Sequence, residues 1–131
     1  MRKAPIVAIG ILAFLGCEPS RADPPVYTVV SGAEVRIIFT TQLNPDCSST
    51  GQITIRVTGK PSGGTIYLRN EKSYSSFPDD NSLSECNKKR VPGVGAYYKA
   101  NDGFVGADSG TLEMIFPDGY EQTMDFQVIV K

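Results

Sequence analysis

Short runs of alternating apolar and polar residues, separated by turn residues, constrain the fold of this chain more than any other feature. In the segment 52–58, Ile53, Ile55 and Val57 lie at every second position, with polar residues between them. A period of two is typical of a strand with one buried face. Because no window after the first 22 residues carries a helical apolar stripe, the sequence predicts an all-β fold.

Six further segments share this β-rich composition and are bounded by turn residues. They are 26–30, 34–40, 65–69, 94–100, 111–116 and 122–130. Seven short strands in one domain of this size predict a β-sandwich.

The same alternation predicts which side chains face the core. The inward set comprises Val35, Ile37 and Phe39, then Ile66 and Leu68, and finally Met124, Phe126, Val128 and Val130. Tyr97 and Tyr98 are adjacent in one strand, so they point to opposite faces of the sheet. We therefore expect one tyrosine in the core and the other at least partly exposed.

Turn residues divide these segments. Residues 60–64 form a Pro/Gly/Ser cluster typical of a turn, and 117–119, with the sequence Pro-Asp-Gly, indicate a hairpin between the last two strands. Residues 70–92 lack periodicity, which predicts a long loop. Loops of this length in a small domain are usually functional or mobile.

The first 22 residues predict a secretory leader. Arg2 and Lys3 precede an apolar run over 4–16, and a small-x-Ala site ends at Ala22. That run of about 13 residues is shorter than the roughly 20 that a spanning helix needs. The sequence therefore predicts an exported domain over 23–131, periplasmic or extracellular, with no transmembrane span in the mature chain.

A second processing route stays open. Residues 14–17, Phe-Leu-Gly-Cys, resemble a bacterial lipobox, although Phe14 stands where that motif normally has leucine. In that alternative Cys17 carries lipid and the protein is an outer-membrane lipoprotein.

The charge balance limits the classes of partner that the protein could bind, and the cysteine content predicts a disulfide. Of 13 basic and 14 acidic residues, cleavage after Ala22 leaves 10 and 13, a net charge of −3. This mildly acidic balance argues against nucleic acid as a partner. Cys47 and Cys86 are the two cysteines after the leader, and in an exported chain they predict a disulfide.

Residues 61–131 resemble the bacterial immunoglobulin-like or cadherin-like domains of exported proteins. The likeness lies in Pro61–Ile66, in Tyr97–Ser109 with its Phe-x-Gly-x-Asp-Ser element, and in the closing hairpin. Gly110 stands where those domains place a large apolar residue. The resemblance implies an immunoglobulin-like fold and a binding or spacing role at the cell surface, without catalysis.

Residues 103–108 predict a structural corner on physical grounds as well. Gly103 and Gly106 permit backbone shapes that a Cβ disfavours. We expect Phe104 to bury its ring at the end of the sandwich and Asp108 to accept hydrogen bonds from the preceding turn. Asp102 and Asp108 form a weak alternative as calcium ligands, because oxygen-rich loops bind that ion.

The sequence predicts neither catalysis nor a cofactor. No histidine is present, which removes histidine-based triads, imidazole bases and histidine-containing zinc sites. Two paired cysteines supply no thiolate nucleophile. No pair of carboxylates is placed as a glycosidase requires.

We therefore predict a non-catalytic binding or structural module of the cell envelope, with an unknown protein or glycan as its partner. Recognition is assigned to the loop 70–92, and its candidate contact residues are Tyr74, Phe77, Lys88, Lys89 and Arg90. An exported inhibitor of a hydrolase, such as a lysozyme or protease, is the alternative. Both hypotheses use the same loop.

Overall fold

A computed structural model describes residues 23–131 together with residues 4, 5, 10 and 16. The predicted leader, its cleavage site and Cys17 lie outside these described residues, apart from four isolated positions. Within the described chain, seven strands and one short 3-10 helix follow in order: β1 (Val26–Val29), β2 (Glu34–Thr40), β3 (Thr54–Gly59), β4 (Gly64–Tyr74), the helix Ser84–Lys88, β5 (Arg90–Ala100), β6 (Gly106–Ile115) and β7 (Glu121–Val130).

The strands form two sheets. One has the order β1-β7-β6-β3 and the other the order β2-β5-β4. Strand β1 runs parallel to β7, and the other named pairs are antiparallel. The predicted all-β sandwich of about seven strands is confirmed.

The main core lies between the two sheets. The side chains that are at most 2% exposed include Tyr98, Leu112, Met114, Phe126, Val128 and Val130. The predicted inward set of β7 is confirmed, with Met124 packed at the margin of the core. Tyr98 is the buried member of the tyrosine pair, and Tyr97 is partly exposed on the outer face.

The loop predicted over 70–92 is shorter than expected. Strand β4 continues to Tyr74, and β5 begins at Arg90, so that Tyr74 pairs with Arg90 and the connecting segment is 75–89. The prediction was wrong at both ends, and at the first end the reason lies in β4. Strand β4 is an edge strand with solvent along much of both faces, so its sequence lacks the alternation that marks a half-buried strand.

Phe39 faces the opposite side from the one predicted. The register of β2 against β5 shifts between Arg36 and Ile38, which marks a β-bulge at Ile37. An extra residue reverses the side to which later side chains point. Ile38 therefore joins the main core, and the Arg36 guanidinium lies 5.7 Å from the Phe39 ring centre on the outer face.

Two further expectations differ in detail. Leu68 is 44% exposed, because β4 is an edge strand and solvent reaches both of its faces. Strand β6 begins at Gly106, five residues before the predicted 111. The predicted hairpin is confirmed, with Gly119 at φ +88° and Phe116 N donating to Tyr120 O over 2.8 Å.

Candidate recognition surface

A disulfide fastens the loop 75–89 to the turn after β2. Cys47 and Cys86 are bonded, with their Cα atoms 5.6 Å apart. Cys47 adopts φ 69°, a left-handed conformation that is uncommon for a residue with a Cβ. The turn around it is closed by Cys47 N donating to Asn44 O over 2.8 Å. The predicted disulfide is therefore present.

Beneath this disulfide lies a second, smaller hydrophobic cluster. Leu43, Cys86 and Val91 are buried there, with Phe39, Cys47, Phe77 and Leu83 packed around them. Val91 belongs to β5, so the cluster covers one end of the outer face of the β2-β5-β4 sheet. The loop is thus packed onto the sheet, and its conformation is set by buried contacts as well as by the covalent link.

Asn87 fixes the path of the loop in a way that the sequence did not reveal. Its Oδ1 accepts from Phe77 N over 2.9 Å, and its Nδ2 donates to Phe77 O over 2.8 Å. The Ser75 hydroxyl donates to the same Oδ1. One side chain therefore holds both backbone groups of Phe77. Asparagine is common in turns, and nothing in the local pattern distinguishes this asparagine from Asn81.

The predicted contact residues do not form one patch. Tyr74 is 59% exposed at the end of β4, whereas Phe77 is half-buried in the second cluster. Lys88 Nζ lies 2.8 Å from Glu85, and Arg90 donates to Lys72 O over 2.9 Å. The basic run is therefore divided among local partners, with Lys89 exposed between Lys88 and Arg90.

A groove of about 480 Å³ separates β2 from the first residues of the loop. It brings Tyr74 and Phe77 together with residues that the sequence did not single out, and its lining is Arg36, Ile37, Ile38, Phe39, Thr40, Thr41, Tyr74, Ser75, Ser76 and Phe77. Strand β2 forms an edge of its sheet, and an edge strand presents unpaired N–H and C=O groups. The groove therefore combines aromatic side chains, a guanidinium and an edge strand.

A second depression of about 540 Å³ lies at the open end of the sandwich, between the start of β3 and the end of β4. The Gln52 side chain donates to Asn70 Oδ1 there over 3.0 Å. No aromatic side chain lines it. The groove between β2 and the loop is the stronger candidate, because it has three aromatic side chains in its lining.

A polar network covers the outer face next to the groove. Arg69 forms two 2.9 Å hydrogen bonds with Glu34 and stacks on the Tyr97 ring at 4.2 Å. The Tyr97 hydroxyl donates to Glu71, 2.6 Å away. The hydrogen bond with Glu71, together with burial, raises the pKa of Tyr97. The hydrogen bonds from Arg69 lower the pKa of Glu34.

Asp108 is a buried structural anchor at the predicted corner. Its oxygens accept from Ser62 N and Ser109 N, from Gly63 N over 2.8 Å, and from the Tyr98 hydroxyl over 2.7 Å. Burial opposes its ionisation, but these hydrogen bonds outweigh burial and lower the pKa of Asp108. The distant amides belong to the turn before β4, so the expectation that Asp108 caps the turn preceding it was wrong.

The other corner residues behave as expected. Gly103 and Gly106 have φ +81° and +135°, and Phe104 packs against the main core. The calcium alternative at Asp102 and Asp108 gains no support, because backbone amides and Tyr98 already occupy both Asp108 oxygens. Within residues 23–131, no three Cys, Asp or Glu side chains gather as a metal site would require.

Comparisons with known proteins give only a distant structural likeness. No protein-family model matches the chain, and no curated protein matches it. A solved structure titled "Solution Structure of Amebosin" is similar to this chain, at 14% identity and a TM-score of 0.45 over 81% of this chain and 88% of that one. In the part of the chain that the structure describes, no helix has the length and apolar character needed to cross a membrane.

Proposed function

We propose that this protein is a non-catalytic recognition module that acts outside the cytoplasm and binds an extended protein segment in the groove between β2 and the loop 75–89. The observation that carries the proposal is the groove itself, about 480 Å³ in volume and lined by Arg36, Phe39, Tyr74 and Phe77. Binding loops held on a rigid sandwich are a common arrangement for recognition.

The edge of β2 favours a protein segment over other ligands. An extended peptide can add a strand to a free edge, with backbone hydrogen bonds giving affinity and side-chain pockets giving specificity. Tyr74 offers an exposed aromatic face at the groove, and tyrosine and arginine are enriched among residues that dominate binding energies. Because the disulfide and Asn87 hold the loop, little ordering entropy opposes binding.

Two sequence features support export and the absence of catalysis. The predicted leader and the Cys47–Cys86 bond agree with an oxidising compartment, where such bonds persist. The sequence holds no histidine, and the Asp108 carboxylate is committed to structural hydrogen bonds. The groove therefore offers binding groups but no arrangement for nucleophilic or acid–base chemistry.

The groove is tested by two substitutions and a matched control. We expect Tyr74→Ala and Arg36→Ala each to weaken partner binding at least about tenfold, as losing a central contact does. Tyr120→Ala is the control, because Tyr120 is 60% exposed and does not line the groove. The partner is isolated from the envelope fraction with the wild type, and affinities are then measured by calorimetry.

Full binding by both groove variants, with Tyr120→Ala also unchanged, would reject the groove. A Lys88→Glu, Lys89→Glu double variant tests the predicted basic tip in the same assay. Loss of binding in that variant alone would place recognition at the tip of the loop. An isolated glycan, identified in place of a protein, would overturn the assignment of ligand class.

Inhibition of a hydrolase is the second candidate function. The supporting observation is that the exposed turn at 78–82 is carried by a loop fixed through Asn87 and a disulfide, and a preorganised loop is suited to filling a cleft. A panel of lysozymes and proteases separates the two candidates. Tight inhibition that is lost on substituting Asp79 and Asp80, and kept in Tyr74→Ala, would favour the inhibitor.

A further inference from the structure

Strand β4 is an open sheet edge without the features that protect the other edges. The four edge strands of the described sandwich are β1, β3, β2 and β4. Strand β1 has only four residues, and β2 and β3 each contain a register shift. Short strands and bulges are the usual devices that prevent two whole sheet edges from pairing, although residues 38–40 of β2, beyond its bulge, keep a short regular edge along the groove.

By contrast, β4 pairs with β5 over eleven consecutive residues without a register shift. Tyr67 and Leu68 are large apolar side chains on this strand, and they are 46% and 44% exposed. A long, regular and partly apolar edge is a template for another strand.

The charges on this edge fit a second copy of the same strand. If two β4 strands pair antiparallel about a two-fold axis through Asn70, Arg69 of each copy lies opposite Glu71 of the other. Both side chains lie on the outer face of the sheet, so the contact is made twice on one surface. Opposite charges directly across an antiparallel pair stabilise it.

Neighbouring registers lack this complementarity. An axis through residue 69 places Arg69 opposite Arg69, and an axis through residue 71 places Glu71 opposite Glu71. Like charges directly opposite each other are destabilising. The charge pattern therefore selects one register, in which Leu68 also lies opposite the aliphatic stem of Lys72.

Arg69 and Glu71 retain the capacity for this contact. Arg69 uses Nη1 and Nη2 on Glu34, whereas a guanidinium carries five N–H donors. Glu71 accepts from the Tyr97 hydroxyl, with Arg36 at 3.9 Å, whereas a carboxylate offers about four lone-pair sites.

We propose that the protein forms a symmetric dimer through antiparallel β4–β4 pairing centred on Asn70, which joins two three-stranded sheets into one six-stranded sheet. The partner is a second copy of this chain. This surface shares Tyr74, the last residue of β4, with the groove at β2, but Arg69 and Glu71 do not line the groove. The inference therefore does not depend on the proposed function.

Charge reversal and its rescue test the proposal. Sedimentation equilibrium of the wild type across a wide concentration range should show a monomer–dimer equilibrium. Arg69→Glu or Glu71→Arg alone should weaken the dimer at least about tenfold, because each converts two attractive pairs into repulsive ones. The double variant Arg69→Glu, Glu71→Arg restores opposite charges across the axis and should recover dimerisation.

Arg56→Glu on the edge strand β3 is the matched control, and we expect it to leave the equilibrium unchanged. Circular dichroism and thermal unfolding confirm that each variant is folded. A wild type that is monomeric at every concentration would overturn the proposal, as would a folded double variant that fails to dimerise.

A cysteine placed on the axis gives a second, register-specific test. Facing residues of an antiparallel pair have Cα atoms about 4.5–5.5 Å apart, which lies within disulfide range. Asn70→Cys should therefore give a cross-linked dimer under mild oxidation, whereas Arg56→Cys should not. Absence of a cross-link in folded Asn70→Cys would reject this register.

Discussion

Asp108 shows how one side chain can connect distant parts of this fold. It joins β6 to the turn before β4 and to Tyr98 of β5 through hydrogen bonds of 2.7–3.0 Å. Hydrogen bonds to a charged group contribute more than those between neutral groups. Burial raises the pKa of Tyr98, and the hydrogen bond to Asp108 raises it further. The hydroxyl therefore remains a donor at neutral pH.

We expect Asp108→Asn to lower the free energy of unfolding by about 2–3 kcal/mol at neutral pH. An amide cannot accept from donors on both of its sides, so at least one buried N–H or O–H loses its partner. Urea denaturation measures this loss. Asp125→Asn, on the exposed face of β7, is the control and should change stability far less.

The contribution of Asp108 also has a defined pH dependence. Its pKa in the folded protein lies below that in the unfolded chain, which is about 3.9. The stabilisation is therefore fully present above the unfolded pKa and is lost as pH falls through the folded pKa. The stability difference between the wild type and Asp108→Asn should shrink as pH is lowered below about 4. A constant difference would contradict this account.

At the scale of the strands, Gly110 is explained by the residue opposite it. Gly110 pairs with Phe126 across β6 and β7, and a Cβ on Gly110 would lie 2.5 Å from Phe126 Cζ and 3.0 Å from Gly59 O. Phe126 is buried and cannot move away without leaving the core. The ring of Phe126 therefore occupies the space that a side chain at position 110 would need.

We expect Gly110→Ala to destabilise the protein by about 1–3 kcal/mol, the usual cost of overpacking a core. Thermal unfolding monitored by circular dichroism provides the measurement. Ser109→Ala is the neighbouring control, because Ser109 is exposed and its backbone N–H, which donates to Asp108, is retained. Equal melting temperatures for the two variants would show that the Phe126 ring can move aside for a Cβ at position 110 at little cost.

At the scale of the whole molecule, the protein has two hydrophobic clusters on opposite faces of one sheet. The main core lies between the sheets, and the second cluster lies under the disulfide. Strand β5 contributes Tyr98 to the first and Val91 to the second. Only the second cluster depends on the covalent link between positions 47 and 86, which are 39 residues apart.

We expect reduction of the disulfide to lower stability by about 4 kcal/mol in the chain-entropy model, and the melting temperature by more than about 10 °C. Hydrogen exchange under reducing conditions should accelerate first in the loop 75–89, whereas β6 and β7 stay protected. The Cys47→Ser, Cys86→Ser variant is the control and should show no further response to reductant. Uniform acceleration across all strands would contradict the separation of the two clusters.

The sequence by itself determined the all-β class, the approximate number of strands, most of the inward-facing residues, the β6–β7 hairpin and the disulfide. The strand pattern and the hairpin are local, because a period of two or a Pro-Asp-Gly turn is visible in the residues concerned. The disulfide joins residues 39 apart, but two cysteines after an export leader leave one possible pairing. The positive φ values of Gly103 and Gly106 are also local features, because the glycines themselves indicate them.

Only the tertiary structure decided the features that depend on residues distant in sequence. The bulge at Ile37, which moved Phe39 to the outer face, arises from the register of β2 against β5. The extension of β4 depends on its pairing with β5, and the partners of Asp108 belong to another turn. The groove and the open edge of β4 likewise exist only once the sheets are assembled, because both are defined by which strands have a neighbour and which do not.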